Sequence, residues 1–261
     1  MSRIAETFAN LRREGRTGLV TYTTAGDPDL ERSGAILLRL DRAGADILEV
    51  GVPFSDPLAD GPVIQRATER AIAAGTTLAK VLDLIGSLRS RISAPIVIFT
   101  YANPVLRMGL VAFVERARAA GVDGVLTLDV PPEESAQFRE ALSRARMDTI
   151  FLLSPTTSVE RIRRAAALGT GFLYGISRLG VTGMRETLAD SARELAARIR
   201  SETRMPLALG FGFSKPEHIR AIAGCADAAV VGSALVNVIA EHGQSPALLD
   251  EVERYVKWLR T

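Results

Sequence analysis

One short run carries the first chemical signal: Ile47-Leu48-Glu49-Val50-Gly51. Alternate residues of an extended strand share a face, so Ile47, Glu49 and Gly51 point one way and Leu48 and Val50 the other. If the first face turns into an apolar interior, the Glu49 carboxyl loses its water. Burial disfavours the charged form and moves the pKa toward neutrality, which suits a group that must both give and take a proton. The structural alternative is a glutamate held in an ion pair with arginine. The loop that follows, Pro53 to Pro62, holds Asp56, Asp60 and three prolines. Prolines limit its conformers, so either aspartate is a candidate second polar group over Glu49. Asp60, directly before Gly61-Pro62, also qualifies as a helix N-cap.

A second signal lies late in the chain. Three glycine turns, Gly180-Val181-Thr182-Gly183, Gly210-Phe211-Gly212-Phe213-Ser214 and Gly232-Ser233-Ala234, each follow a β-branched or apolar run. Glycine lets a ligand approach the backbone, and a turn entering a helix offers unpaired N–H groups at the positive end of the helix dipole. Together they point to a phosphate ester as ligand. Tyr22, Tyr101 and Tyr174 fall near the ends of other such runs and, with Phe211, are candidates for lining a flat apolar pocket; core packing accounts equally for any one of them. Imine and metal chemistry are disfavoured. The three lysines, Lys80, Lys215 and Lys257, lie outside every candidate strand, and His218 and His242 sit on separate helical segments. Cys225, alone in the chain, reads as a small buried apolar residue. Acid–base chemistry by carboxylates on a phosphorylated substrate remains.

Such groups need a frame that gathers distant residues. Candidate strands are Leu19 to Thr23, Ile47 to Gly51, Pro95 to Thr100, Gly124 to Leu128, Thr149 to Leu153, Gly171 to Ile176, Leu207 to Gly210 and Ala228 to Val231, each followed by a helical pattern such as Val111, Val114, Ala117. Eight β/α units in 261 residues with no composition break favour a closed (β/α)8 barrel over an open doubly wound sheet, as one domain spanning 1–261. An extra amphipathic helix, Met1 to Gly15, precedes the first strand and is expected to plug the bottom. In a barrel the C-terminal strand ends converge on one face, where Glu49 and the glycine turns would meet. The chain is 47% hydrophobic and 24% charged, with a net charge of +2 from 32 basic and 30 acidic residues in no long block. Nothing in it selects nucleic acid or a membrane, and a cytoplasmic protein is expected.

These motifs resemble those of the tryptophan synthase alpha subunit family along essentially the whole chain. The resemblance is carried by Tyr22-Thr23-Thr24-Ala25-Gly26-Asp27-Pro28, by the run from Leu48 to Pro62, and by Tyr101-Ala102-Asn103-Pro104 and Asp129-Val130-Pro131. It continues in Ser177-Arg178-Leu179-Gly180-Val181-Thr182-Gly183, Gly210-Phe211-Gly212 and Gly232-Ser233-Ala234. It implies a TIM barrel that cleaves indole-3-glycerol phosphate, by a retro-aldol step, to indole and glyceraldehyde 3-phosphate. It further implies that Glu49 shuttles protons and that Asp60 binds the indole N–H. Tyr174 would lie beside Glu49; Tyr22, Phe99, Leu126, Leu128 and Leu152 would border the indole; and Gly183, Phe211, Gly212, Gly232 and Ser233 would hold the phosphate. Thr182, in a lid, would engage Asp60. The resemblance implies no cofactor in this subunit, and a partner beta subunit with pyridoxal phosphate in a two-alpha, two-beta assembly, met by the loops of Asp56-Pro57 and Asn103-Pro104. Tyr22 and Leu128 depart from the family's usual phenylalanine and smaller residue, and bear on pocket shape. The competing readings are a non-catalytic subunit that senses a phosphate ligand to activate a partner, and a free-standing lyase.

Overall fold

The computed structural model describes residues 1–176 and 185–261. Eight short parallel strands form the centre: β1 (Gly18–Thr24), β2 (Ile47–Gly51), β3 (Ile96–Thr100), β4 (Gly124–Thr127), β5 (Asp148–Leu153), β6 (Leu173–Ile176), β7 (Leu207–Gly210) and β8 (Ala228–Val231). Each pairs with the next, and β8 returns to β1 with Gly18 opposite Ala228, so the sheet closes into a barrel and the open-sheet alternative is excluded. Three strands match their sequence-expected bounds. β6 begins two residues later than expected because Gly171 adopts φ 73°, a left-handed turn no strand accommodates.

The described residues form twelve α-helices. These are α1 (Arg3–Glu14), α2 (Leu30–Ala43), α3 (Pro62–Ala73), α4 (Leu78–Leu88), α5 (Ala102–Met108), α6 (Leu110–Ala120), α7 (Ala136–Arg144), α8 (Val159–Leu168), α9 (Arg185–Glu202), α10 (Pro216–Ala221), α11 (Ser233–His242) and α12 (Leu248–Leu259). In α6 the buried stripe starts at Phe113; Val111, expected on it from spacing, is exposed. No single helix is long and apolar enough to cross a membrane among the described residues.

Strand alternation divides the apolar residues into two shells. Leu48, Val50, Ile96 and Ile98 face outward and pack under the helices, whereas Ile47, Val97, Leu126 and Ile150 face into the barrel. The interior shell is sealed from below by α1. Ser2 caps that helix by accepting from the Ala5 N–H, Gly15 ends it at φ 65°, and its Ile4, Phe8 and Leu11 are inserted into the barrel floor. Burial of each such side chain contributes about 1.5–3 kcal/mol. Phe8 meets Phe172 with ring centroids 5.5 Å apart, and Phe172 lies 6.5 Å from Tyr174, so aromatic rings run from the floor toward the upper barrel. At the lower strand ends Asp46, Asp123 and Asp227 accept the backbone N–H of Leu19, Ile96 and Leu207, each at 2.8 Å, and arginines cover them from outside.

Candidate active site

Glu49 is the middle residue of β2, opposite Tyr22 of β1 and Val97 of β3, on the inward face that alternation assigns it. It is 1% exposed, and neither carboxylate oxygen has a hydrogen-bond partner among the described residues. Among the described residues no arginine pairs with it, against the ion-paired alternative. With nothing to replace lost hydration, burial pushes its pKa up to about 8. Near neutral pH it is mostly an acid with a proton to deliver.

Two phenols flank it. Tyr22 and Tyr174 are both buried, and burial, helped by carboxylate charge (Asp60 and then Glu49 for Tyr22, Glu49 for Tyr174), holds both well above the ordinary tyrosine range. Space for them comes from glycine: a Cβ on Gly51 would fall 2.2 Å from the Tyr22 hydroxyl, and one on Gly210 would fall 2.6 Å from that of Tyr174. The last residues of β2 and β7 are thus glycine because a ring occupies the place of a side chain. Tyr22 also meets Phe99 edge-on at 5.1 Å, and its hydroxyl lies 3.4 Å from that of Thr24.

Above this lies a cavity of about 600 Å³ at the C-terminal ends of the strands. Asp60, Phe99, Leu128, Leu152, Tyr174 and Ser233 are among the residues that line it, so segments from seven strands and their loops converge there as sequence reasoning expected. Leu126 is wholly buried beneath, in the interior shell with Tyr174. Asp60, not Asp56, is the second carboxyl of the site; Asp56 is exposed and accepts from the neighbouring Ser55 hydroxyl. Nor does Asp60 cap α3, whose N-cap is Gly61 without a side-chain bond. Burial raises the Asp60 pKa to about 6, against a hydrogen bond from the Tyr101 hydroxyl that pulls it down. That hydroxyl accepts from the Ala59 N–H at 3.0 Å, and the Gln65 amide donates to the Asp60 carbonyl at 2.8 Å, fixing the loop's end. Near neutral pH Asp60 is mostly ionised while Glu49 is mostly protonated.

Opposite the carboxyls are the glycine turns. Gly232 precedes α11 without a side-chain cap, leaving the first amides of that helix open, and Gly212 stands at φ 71° with open space where a Cβ would project. Bare amides at a helix N-terminus form an anion cup. Phe211 is packed against Phe213 in the outer shell at 6.2 Å, so only its main chain is available to a ligand. Thr182 and Gly183 lie outside the described residues. Sequence reasoning missed the grip of Tyr101 on Asp60, although the aromatic at the end of β3 was visible. It also missed Ile176, which shares a strand face with Tyr174, and Arg161, whose ion pair with Glu133 on the cavity rim left no signal in spacing.

The His218 ring nitrogen Nδ1 accepts from the Ser214 N–H, and Lys80 donates to the Gly75 carbonyl, both outside the cavity.

A family model described as tryptophan synthase alpha chain matches residues 8–258. The chain is similar to the tryptophan synthase alpha chain of Geotalea uraniireducens, 50% identical over 241 residues that cover 92% of this chain and 90% of the relative. It is likewise similar to that of Geobacter sulfurreducens, 49% identical over 260 residues that cover 100% and 98%. Among solved structures, tryptophan synthase subunit alpha from Legionella pneumophila superposes with a TM-score of 0.92 at 34% identity, covering 100% of this chain and 97% of that one. A chain from a study of mutual activation of the tryptophan synthase a2b2 complex of Pyrococcus furiosus superposes with 0.88 at 38% identity, covering 93% and 97%.

Proposed function

This chain belongs to the tryptophan synthase alpha chain family and is a carbon–carbon lyase that cleaves indole-3-glycerol phosphate to indole and glyceraldehyde 3-phosphate; from that premise we propose that Glu49 and Asp60 perform the chemistry and that the amides around Gly212, Gly232 and Ser233 hold the phosphate. The observation that carries this reading is the buried Glu49 carboxyl, without a partner among the described residues, beneath a cavity whose opposite rim is a cup of bare amides.

Glu49, as the acid, delivers its proton to indole C3, which turns the ring into an iminium with positive charge on nitrogen. The Asp60 carboxylate accepts a hydrogen bond from that N–H and stabilises the charge. Glu49, now a carboxylate, removes the proton of the side-chain hydroxyl on the adjacent carbon. The carbon–carbon bond then breaks, its electron pair restores the indole, and the former carbinol becomes the aldehyde. Glu49 ends protonated, as it began. Tyr22, Phe99, Leu126, Leu128 and Leu152 border the indole, Tyr174 orders the Glu49 surroundings, Phe211 contributes its main chain to the cup, and Thr182 and Gly183 complete lid and cup.

The same reading takes the whole chain, 1–261, as one cytoplasmic domain with no cofactor of its own and a beta chain carrying pyridoxal phosphate as partner in a two-alpha, two-beta assembly. Apolar side chains on the loops expected to meet it support this: Leu58, beside Asp56 and Pro57, is 91% exposed, and Leu106, on α5 with Asn103 and Pro104, is 70% exposed. Indole release from indole-3-glycerol phosphate, followed with and without a beta chain, tests the proposal. Slow release alone and faster release with the partner are expected. Full activity of Glu49→Gln would remove Glu49 from the reaction.

A further inference from the structure

At the opposite end of the barrel from the cavity, a crevice of about 410 Å³ opens between the end of α1, the end of α9 and the turn joining α10 to β8. Arg12, Arg16, Arg200 and Arg204 line it, against one carboxylate, Asp227. The carbonyl ends of α1 and α9 point to this face and favour some positive charge there. The arrangement exceeds that need. Asp227 is engaged on both oxygens: one takes Arg12 at 3.4 Å, and the other takes Arg200 and the Leu207 N–H. Arg16 is committed to Asp46 in a two-pronged pair at 2.7 and 2.9 Å and to Glu14 at 2.7 Å, both carboxylates outside the crevice lining. Arg204 is exposed, lines the crevice and has no hydrogen bond or ion pair among the described residues; Thr17, beside it, has an equally unused hydroxyl.

We propose that this crevice is a second anion site, taking phosphate or a phosphate monoester, distinct from the amide cup at the barrel mouth. Guanidinium forks match the spacing of phosphate oxygens, and a cleft walled by low-dielectric protein strengthens the field of the Arg204 charge that no carboxylate among the described residues neutralises. Arg204 supplies the uncommitted fork, Arg12 can turn from its long contact with Asp227, and Thr17 donates a hydroxyl from the wall. Arg200, bonded both to Asp227 and to the Met205 carbonyl, stays in place as background charge.

Cys225, the only cysteine in the chain, lines the same crevice and gives a local readout. Its alkylation by iodoacetamide is timed in the full chain with inorganic phosphate in one arm and glycerol 2-phosphate in the other, each against sodium chloride of equal ionic strength. At a concentration about ten times the dissociation constant, alkylation slows about tenfold in at least one phosphate arm. The tighter arm identifies free phosphate or a monoester as the preferred form. Arg204→Glu abolishes the protection and Arg12→Ala weakens it, whereas Gly212→Val, at the mouth, retains it. Equal slowing by sodium chloride, or protection unchanged in Arg204→Glu, overturns the proposal. Because the reporter lies away from the mouth, either result leaves the assignment of Glu49 and Asp60 standing.

Discussion

The Tyr101 hydroxyl joins the end of β3 to the loop after β2: it accepts from the Ala59 amide at 3.0 Å and lies close enough to the Asp60 carboxyl to pull its pKa down. A hydrogen bond given to the charged form of an acid stabilises that form. Tyr101→Phe removes it, so the Asp60 pKa moves up from about 6. The acid limb of the kcat/KM profile shifts to higher pH, and kcat falls about tenfold, the loss of one charge-assisted hydrogen bond. An unchanged acid limb with normal kcat would separate Tyr101 from Asp60.

The parent protein itself has a bell-shaped profile. Activity requires Asp60 ionised, which sets a rise near pH 6, and Glu49 protonated, which sets a fall near pH 8. The maximum lies between them. Steady-state rates of indole release across that range check it; a flat alkaline side would mean Glu49 does not enter the reaction as an acid.

Glu49→Gln keeps the shape and removes the transferable proton, and kcat falls at least about 100-fold. Its effect on stability has the opposite sign. Because folding raises the Glu49 pKa from 4.5 to about 8, its contribution is intact below pH 4.5 and is lost progressively as pH rises toward 8. Glutamine has no charge to bury and escapes that loss. Denaturant unfolding should show the variant more stable than the parent at pH 8, by roughly a few kcal/mol, and equal to it near the lower limit. Equal stability at both ends would contradict the assignment of a raised pKa.

Gly51→Ala forces a methyl group onto the Tyr22 hydroxyl, the atom that would sit 2.2 Å away. Overpacking of this kind costs about 1–3 kcal/mol. Tyr22→Phe in the same chain restores part of it by removing that oxygen. Thermal unfolding of the single and double variants measures the coupling, and strict additivity would show that the two residues do not compete for one space.

Gly212→Val places a branched side chain at a left-handed position whose Cβ projects into the open anion cup. KM for indole-3-glycerol phosphate rises more than kcat falls, because the lost contact is made equally in ground and transition states. A variant with normal KM would place the phosphate elsewhere.

Much of this was legible in the sequence because periodicity encodes faces. Alternation alone turned Glu49 inward, and eight β/α units fixed a barrel whose upper rim gathers the loops. Alternation also gave Gly51 its face, yet not its purpose, since the clash with Tyr22 arises between neighbouring strands and depends on their register. The choice of Asp60 over Asp56 was beyond the run's composition: each aspartate stands three residues after a proline, and the contacts that fix the loop's end beside Asp60 come from Gln65 and from Tyr101, forty-one positions later in the chain. The ion pair of Arg161 with Glu133 joins two loops that share no local pattern. Periodicity says which way a residue points; what it finds there is decided by the other seven strands.

The tilted rings of Phe8, Phe172 and Tyr174, in contact one after another, give the helix beneath the barrel a role in setting acidity. That helix keeps solvent out of the shaft on which the Glu49 carboxyl rests. A leak admitted there, by trimming Phe8 to a small residue, would let water climb the shaft, ease ionisation of the carboxyl and pull the alkaline side of the reaction toward neutrality. The strength of this acid is governed from the pole of the molecule that substrate never touches.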